Sequence, residues 1–469
     1  MDKYKLFSLL LILPQICSLT SCNKSNINSD YVAYFGGEVT NPSSPYVLFC
    51  KNNEVIDTIA LKDDNTFFKK FDSLTPGLYS FKNEPEYQYV YFDKNDSIMV
   101  HINSKDFDES IIFCGRGDEK NNFLMDMYLR NDNDKNHIFN IFEYDVSKFE
   151  KNIDSTHKKD IQFYNTKKEQ IKWNEEFDIV AKSALNFHYY SKKEIYPYVH
   201  KMRTGIDITD DLPKNFYAFR KDIDFNNPTL SEYAPFVTYL SYMLNNIGSI
   251  KYHNHLSEVD LALKTNINKL KIADTLIKNK KVKNIILNNI AFSYLMEDQN
   301  MVNNQTFLDT YRKFSTDKSK KNEINIIGNA IQLLKPGKSL PQINLVNLDG
   351  KSQNSKDIIS NHKTVIFFWT SKANSHLVAV HKKINTFKLK YPQYNFVGIN
   401  INDDQKKWSE NLIDFNFAGT KQFRTNNLEE LKAKWAITKV HRTIILDANG
   451  LISNAFTNIF DVNFEKELK

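Results

Sequence analysis

The chain has 469 residues and a formal net charge of +6 at pH 7, from 62 Lys and Arg against 56 Asp and Glu. So small an excess, spread through stretches of mixed sign, argues against a nucleic-acid partner, and 24 Tyr with 34 Phe argue against disorder. At roughly 150 residues per domain the length predicts about three domains. The pattern along the chain makes them an N-terminal β-sandwich-like domain, a helical middle region and a C-terminal α/β domain.

At the N-terminus, Asp2-Lys3-Tyr4-Lys5 opens a short basic segment, and Leu6 to Ile16 is an apolar run too short to span a bilayer. The run leads to Leu19-Thr20-Ser21-Cys22, which resembles the lipobox of bacterial lipoproteins. That resemblance implies a signal peptide over 1–21, lipidation of Cys22 after cleavage before it, and a polar tether over 22–30. The protein is then expected to be held by its lipid anchor in the bacterial cell envelope, facing the periplasm or the cell exterior. An ordinary signal peptide is the plainer reading. No later apolar run is long enough for a membrane helix.

Residues 31–118 read as short strands separated by breakers such as Asp63-Asp64-Asn65 and Thr75-Pro76-Gly77. The clearest strands are Tyr46 to Cys50, Phe67 to Phe71, Leu78 to Phe81, Tyr87 to Phe92 and Ser97 to Ile102. With Cys17 removed and Cys22 acylated, only Cys50 and Cys114 remain, both in predicted strands of this domain. An oxidising compartment permits them to pair; two buried thiols are the alternative. Arg116-Gly117-Asp118 is read as the end of the last strand, not as an adhesion motif.

From 119 to 334 the apolar period becomes helical. Tyr233, Phe236, Val237, Leu240, Met243 and Leu244 form one stripe. Leu263, Ile267, Leu270 and Ile277 form a second, and Val282, Ile285, Ile286, Ile290 and Tyr294 a third. These are read as core. The basic runs Lys278 to Lys281 and Lys318 to Lys321 are read as solvated loops or helix ends, and His253-Asn254-His255 as polar surface, its spacing being poor for a metal site on a helix.

Residues 335–469 begin at the breaker Lys335-Pro336-Gly337. Within them Val365 to Trp369 reads as a fully buried strand of a parallel sheet, followed by a polar loop and then Leu377, Val380, Ile384 and Phe387 at helical spacing. Phe368-Trp369-Thr370-Ser371-Lys372 resembles the lead-in to the Cys-x-x-Cys motif of the TlpA-like thiol:disulfide interchange proteins, a branch of the thioredoxin fold. Gly337 to Pro341, Asp349-Gly350, Asn395 to Ile401, Trp408 and Thr443 to Gly450 match the same family. Residues 31–118 also resemble the β-domain often found in front of such lipoproteins.

The two cysteine positions of the motif fall on Ala373 and His376, and the family's cis-proline falls on His441. Disulfide exchange needs a thiolate. Alanine cannot attack and imidazole cannot form a disulfide. No cysteine follows Cys114 and no proline follows Pro392. The resemblance therefore implies a thioredoxin-like fold without its redox chemistry, in a binding or structural role; an unknown protein or peptide partner is expected to meet it where the degenerate loop of Trp369, Ala373 and His376 faces the loop His441-Arg442.

Two other functions compete. His376 and His441, brought together by the family's geometry, are candidate ligands for copper or zinc, as the Sco-like copper carriers bind metal at this place with cysteines and a histidine. Retained thiol-disulfide oxidoreductase activity of the TlpA type requires sulfur from Cys50 or Cys114. No acidic pair can be nominated as acid and base.

Overall fold

The computed structural model describes residues 32–469 apart from 53, 84–85, 250–257, 298–300, 360–361, 402, 416, 418–419, 426 and 462. The leader, Cys22 with its tether up to Asp30, and the histidines of His253-Asn254-His255 lie outside the described residues. No helix among the described residues is long and apolar enough to cross a membrane.

The first eight strands are β1 (Ala33–Thr40), β2 (Tyr46–Lys51), β3 (Glu54–Ala60), β4 (Thr66–Phe71), β5 (Gly77–Asn83), β6 (Glu86–Phe92), β7 (Ser97–Asn103) and, after the short helix α1 (Phe107–Ser110), β8 (Ile112–Arg116). They form two four-stranded sheets, ordered β4-β1-β7-β8 and β3-β2-β5-β6. Their facing sides bury phenylalanines: the Phe35 ring meets Phe49 and Phe67 at 5.3 Å, Phe81 at 5.5 Å and Phe92 at 6.0 Å. Gly37 lets β1 press against its parallel neighbour β7, since a Cβ there would lie 1.9 Å from the Val100 carbonyl oxygen.

Cys50 is buried in β2, whereas Cys114 is exposed on β8 of the other sheet. Both are thiols, so the disulfide the cysteine count allowed is not formed. The strands that carry them belong to opposite sheets, and the two side chains differ in exposure.

Gly117, in the left-handed region at φ 100°, turns β8 into α2 (Asp118–Ile141), which gives Arg116-Gly117-Asp118 a structural role. The next two residues of interest, Asn121 and Asn122, close the sandwich. The Asn121 amide bonds the Tyr91 backbone N–H at 2.6 Å and its carbonyl at 2.9 Å, and the Asn122 amide does the same for Phe113 at 2.9 and 2.8 Å. Each satisfies backbone groups of an edge strand that would otherwise be open to pairing.

The helical layer continues with α3 (Val146–Ile171), α4 (Glu175–Thr204), α5 (Ala234–Gly248), α6 (Glu258–Leu276), α7 (Lys280–Glu297), α8 (Met301–Phe314) and α9 (Lys318–Leu333). The stripes read from sequence are core: Phe236, Leu240 and Leu244, Leu270 and Ile277, Ile286 and Tyr294 are all buried. The basic runs sit at the starts of α7 and α9.

The C-terminal part contains β9 (Asn344–Val346), β10 (Ser352–Asn354), α10 (Ser355–Ile359), β11 (Lys363–Trp369), α11 (Asn374–Lys390), β12 (Tyr394–Ile401), α12 (Gln405–Asp414), β13 (Lys421–Thr425), α13 (Leu428–Trp435), β14 (Arg442–Leu446) and β15 (Ile452–Asn458). Seven strands form one sheet, ordered β10-β9-β13-β12-β11-β14-β15. β11 is central, but only β12 runs parallel to it; β14 is antiparallel. The parallel environment expected for this strand is thus corrected to a mixed one, since burial on both faces reads the same in either case. Val365, Phe367 and Trp369 face a core shared with Leu377, Ile384 and Trp408. Ile366 and Phe368 face the other way, into a core continuous with Phe236, Ile286 and Ile327 of the helical layer.

Candidate functional site

The polar loop leaves β11 at Trp369 and enters α11 at Asn374. Trp369 is fully buried, not displayed in a groove, and its indole N–H donates to Gln422 Oε1 at 2.9 Å. Gln422 in turn contacts His381 Nε2 through its amide nitrogen at 3.2 Å, and His381 Nδ1 lies 2.8 Å from the Leu377 carbonyl. An amide nitrogen is a donor, so Nε2 accepts and the proton sits on Nδ1. The His381 ring also stacks on Phe417 with centroids 3.4 Å apart. Gly398 makes room for this chain of bonds, because a Cβ there would fall 2.2 Å from Gln422 Oε1.

Burial pulls the His381 pKa down to about 4, against the opposing effect of the Leu377 carbonyl. The unfolded chain, with a histidine near 6.5, takes up the proton first. This contribution to stability is complete above about pH 6.5 and is lost as pH falls toward 4, amounting to about 2 kcal/mol by pH 5. The urea midpoint of the wild type should therefore drop more between pH 7.5 and 5 than that of His381→Gln. Equal drops would contradict the buried neutral imidazole.

The loop itself is clamped by Asp403, 5 % exposed and two residues past β12. Its carboxylate accepts from the Thr370 hydroxyl at 3.1 Å, the Ser371 backbone N–H and hydroxyl at 2.8 Å each, and the Asn400 amide at 2.6 Å. Asp404, its neighbour, does a different job, capping α12 by accepting from the Lys407 N–H at 2.8 Å.

Ala373 holds the N-cap position of α11 with no side-chain capping bond. A methyl group therefore stands at the helix start, where a thiolate would be favoured by the helix dipole. His376, half-buried one turn on, packs edge-to-face on Phe460 at 5.6 Å, and neither of its ring nitrogens has a hydrogen-bond partner. Burial, and secondarily the charge of His441, hold its pKa below the ordinary histidine value. His441 is exposed just before β14, its own pKa lowered by burial and by Lys439.

The two histidines thus come within electrostatic reach of each other. They gain no third ligand: among the described residues no group of three or more His, Cys, Asp and Glu side chains is placed to hold a metal ion. Two imidazoles alone do not meet the donor requirement of a closed zinc site. Cys50 and Cys114 remain in the N-terminal sheets, on β2 and β8.

Beside the loop lies a groove of about 360 Å³ lined by Thr370, Lys372, Lys432, Lys439 and Val440, and by Phe292 of α7. The helical layer therefore forms part of its wall, and Met296 of the same helix accepts from the Thr438 hydroxyl through sulfur at 3.8 Å. Arg442, at the start of β14, is buried, stacked on Phe456 at 3.9 Å and donating to the carbonyls of Ala455 and Ala436.

Asp403, Gln422 and His381 were not singled out from sequence, whereas Arg442 belongs to the loop His441-Arg442 that was. His381 had a signal, lying four residues after Leu377 and three before Ile384 on the buried stripe. Asp403 and Gln422 had none beyond their place next to buried strands.

A family model described as thioredoxin-like matches residues 361–452, which contain both loops of the site. This part of the chain is a thioredoxin-like domain. Among solved structures, the chain is similar to the thioredoxin domain of a thiol-disulfide oxidoreductase from Bacteroides vulgatus, at 17% identity over 29% of this chain and 99% of that one, with a TM-score of 0.25. It is also similar to a thiol-disulfide oxidoreductase from Bacteroides fragilis, at 22% identity over 28% of this chain and 100% of that one, with a TM-score of 0.25. A secreted disulfide oxidoreductase of Mycobacterium tuberculosis matches at 14% identity over 27% and 94% of the two chains, with a TM-score of 0.23. No curated protein matches the sequence.

Proposed function

We propose that this protein is a lipid-anchored lipoprotein of the bacterial envelope, of TlpA-like descent, whose thioredoxin-like domain performs no thiol-disulfide exchange and serves a binding or structural role. The observation that carries the reading is the pair Ala373 and His376 at the start of α11, with no cysteine later than Cys114 in the chain. Two further features support it. Trp369 is tied into the core, not held at a surface for a partner, and α7 occupies one side of the groove beside the loop. A partner segment would meet that groove already narrowed by Phe292.

The test is reduction of insulin by dithiothreitol in the presence of the full chain. The rate should equal that of buffer alone, and turnover well above it would defeat the proposal. The double variant Ala373→Cys/His376→Cys should gain a reducible disulfide, detected by thiol alkylation and mass spectrometry, because the helix N-terminus that favours a thiolate is still in place. The anchor is tested separately: Cys22→Ala should move the protein from the membrane fraction to the soluble one.

A further inference from the structure

A second cleft, of about 410 Å³, lies between β6 and the helices α2, α4 and α5, and shares no residue with the groove at the degenerate loop. We propose that it binds a neutral, hydroxyl-rich ring compound, a mono- or disaccharide. Its volume falls within the small-molecule range of about 300–1,000 Å³, and it lies at a junction of two structural layers, where such sites are common.

The wall is aromatic. Tyr87, Tyr89, Tyr128, Tyr233 and Tyr242 all line it. The rings of Tyr87 and Tyr89 meet at 5.8 Å and 83°, those of Tyr89 and Tyr233 at 5.1 Å and 64°, so neighbouring rings face different directions. The wall is also fixed: the Tyr89 hydroxyl accepts from the Ala234 N–H at 2.9 Å and donates to the Glu232 carbonyl at 3.3 Å. Electron-rich ring faces attract the weakly positive C–H face of a pyranose.

The polar groups between the rings select the class further. Gln88, Asn131 and Ser191 are neutral, and each side chain both donates and accepts, as sugar hydroxyls do. Gln88 and Ser191 are only 7 % and 9 % exposed, so their positions are set by packing. The ionisable lining carries both signs, with the carboxylates Glu86 and Asp108 and the ammonium of Lys192. An anion or a cation would meet both signs; a neutral polar ring meets hydrogen-bonding groups of either kind.

The experiment uses the full chain with glucose, galactose, N-acetylglucosamine, maltose and cellobiose, each at about 10 mM, followed by saturation-transfer NMR and calorimetric titration. At least one should bind with a Kd below about 10 mM, and Thr238→Trp should weaken that binding by about tenfold or more. Thr238 is an exposed residue of the lining, so the indole can fill the cleft without disturbing a core. Asn131→Ala, which removes an amide but no core packing, should weaken it in the same direction. The proposal is overturned if none of the five sugars binds, if p-cresol binds where they do not, or if sugar binding is unchanged in both variants.

Discussion

Replacing Trp369 by alanine should destabilise the protein by about 3–5 kcal/mol, the usual cost of removing a large aromatic side chain from a packed core. The indole is fully buried, meets His381 and Phe417 edge-on at 5.1 and 6.0 Å, and donates to Gln422. Trp369→Phe keeps most of the packing and loses the hydrogen bond, so its cost should be lower, although the Gln422 oxygen left without its donor adds about 1–3 kcal/mol of its own. Urea unfolding followed by circular dichroism measures both. A loss below about 1 kcal/mol for the alanine variant would mean that this residue still faces a groove, as it would in a displayed binding loop.

The second large effect is expected in the helical layer. Glu194 of α4 is 2 % exposed and receives both arms of Arg220, at 2.8 and 2.5 Å, with the Asn246 amide at 2.8 Å and the Tyr239 hydroxyl at 3.4 Å. Arg220→Ala leaves a buried carboxylate with neutral donors only, which should cost about 3–5 kcal/mol. The double variant Glu194→Met/Arg220→Met removes both charges together and should recover much of that loss. If the double variant were as unstable as the single one, the damage would lie in lost packing of Arg220 against Tyr217, where the guanidinium sits 3.9 Å from the ring.

These two residues also mark where sequence reading reaches and where it stops. Trp369 was legible as the end of a buried strand because five apolar residues run together there, and α5 to α7 were legible from stripes such as Phe236, Leu240 and Leu244. The helices α3 and α4 were less so, since Lys193 and Glu194 are buried alongside Tyr196 and interrupt the apolar period. Their burial depends on partners far along the chain, such as Glu150 for Lys193 at 2.9 Å. The loop after β11 follows the same rule. Its alanine and histidine at Ala373 and His376 could be read directly, whereas the clamp by Asp403 and the link from Trp369 through Gln422 to His381 depend on strand pairing between distant segments. The direction of β14 beside β11 is of the same kind.

The continuity of the core between the helical layer and one face of the seven-stranded sheet has a consequence for inheritance. Ile366, Phe368 and Ile444 are packed in the same interior as Ile286 and Ile327, and Lys432 of α13 reaches Glu323 of α9 at 3.3 Å. Deleting the C-terminal segment would strip the helices of their cover and expose that interior to water. The sheet therefore works as a buttress, which gives a lineage cause to retain it whether or not any electron ever passes through it.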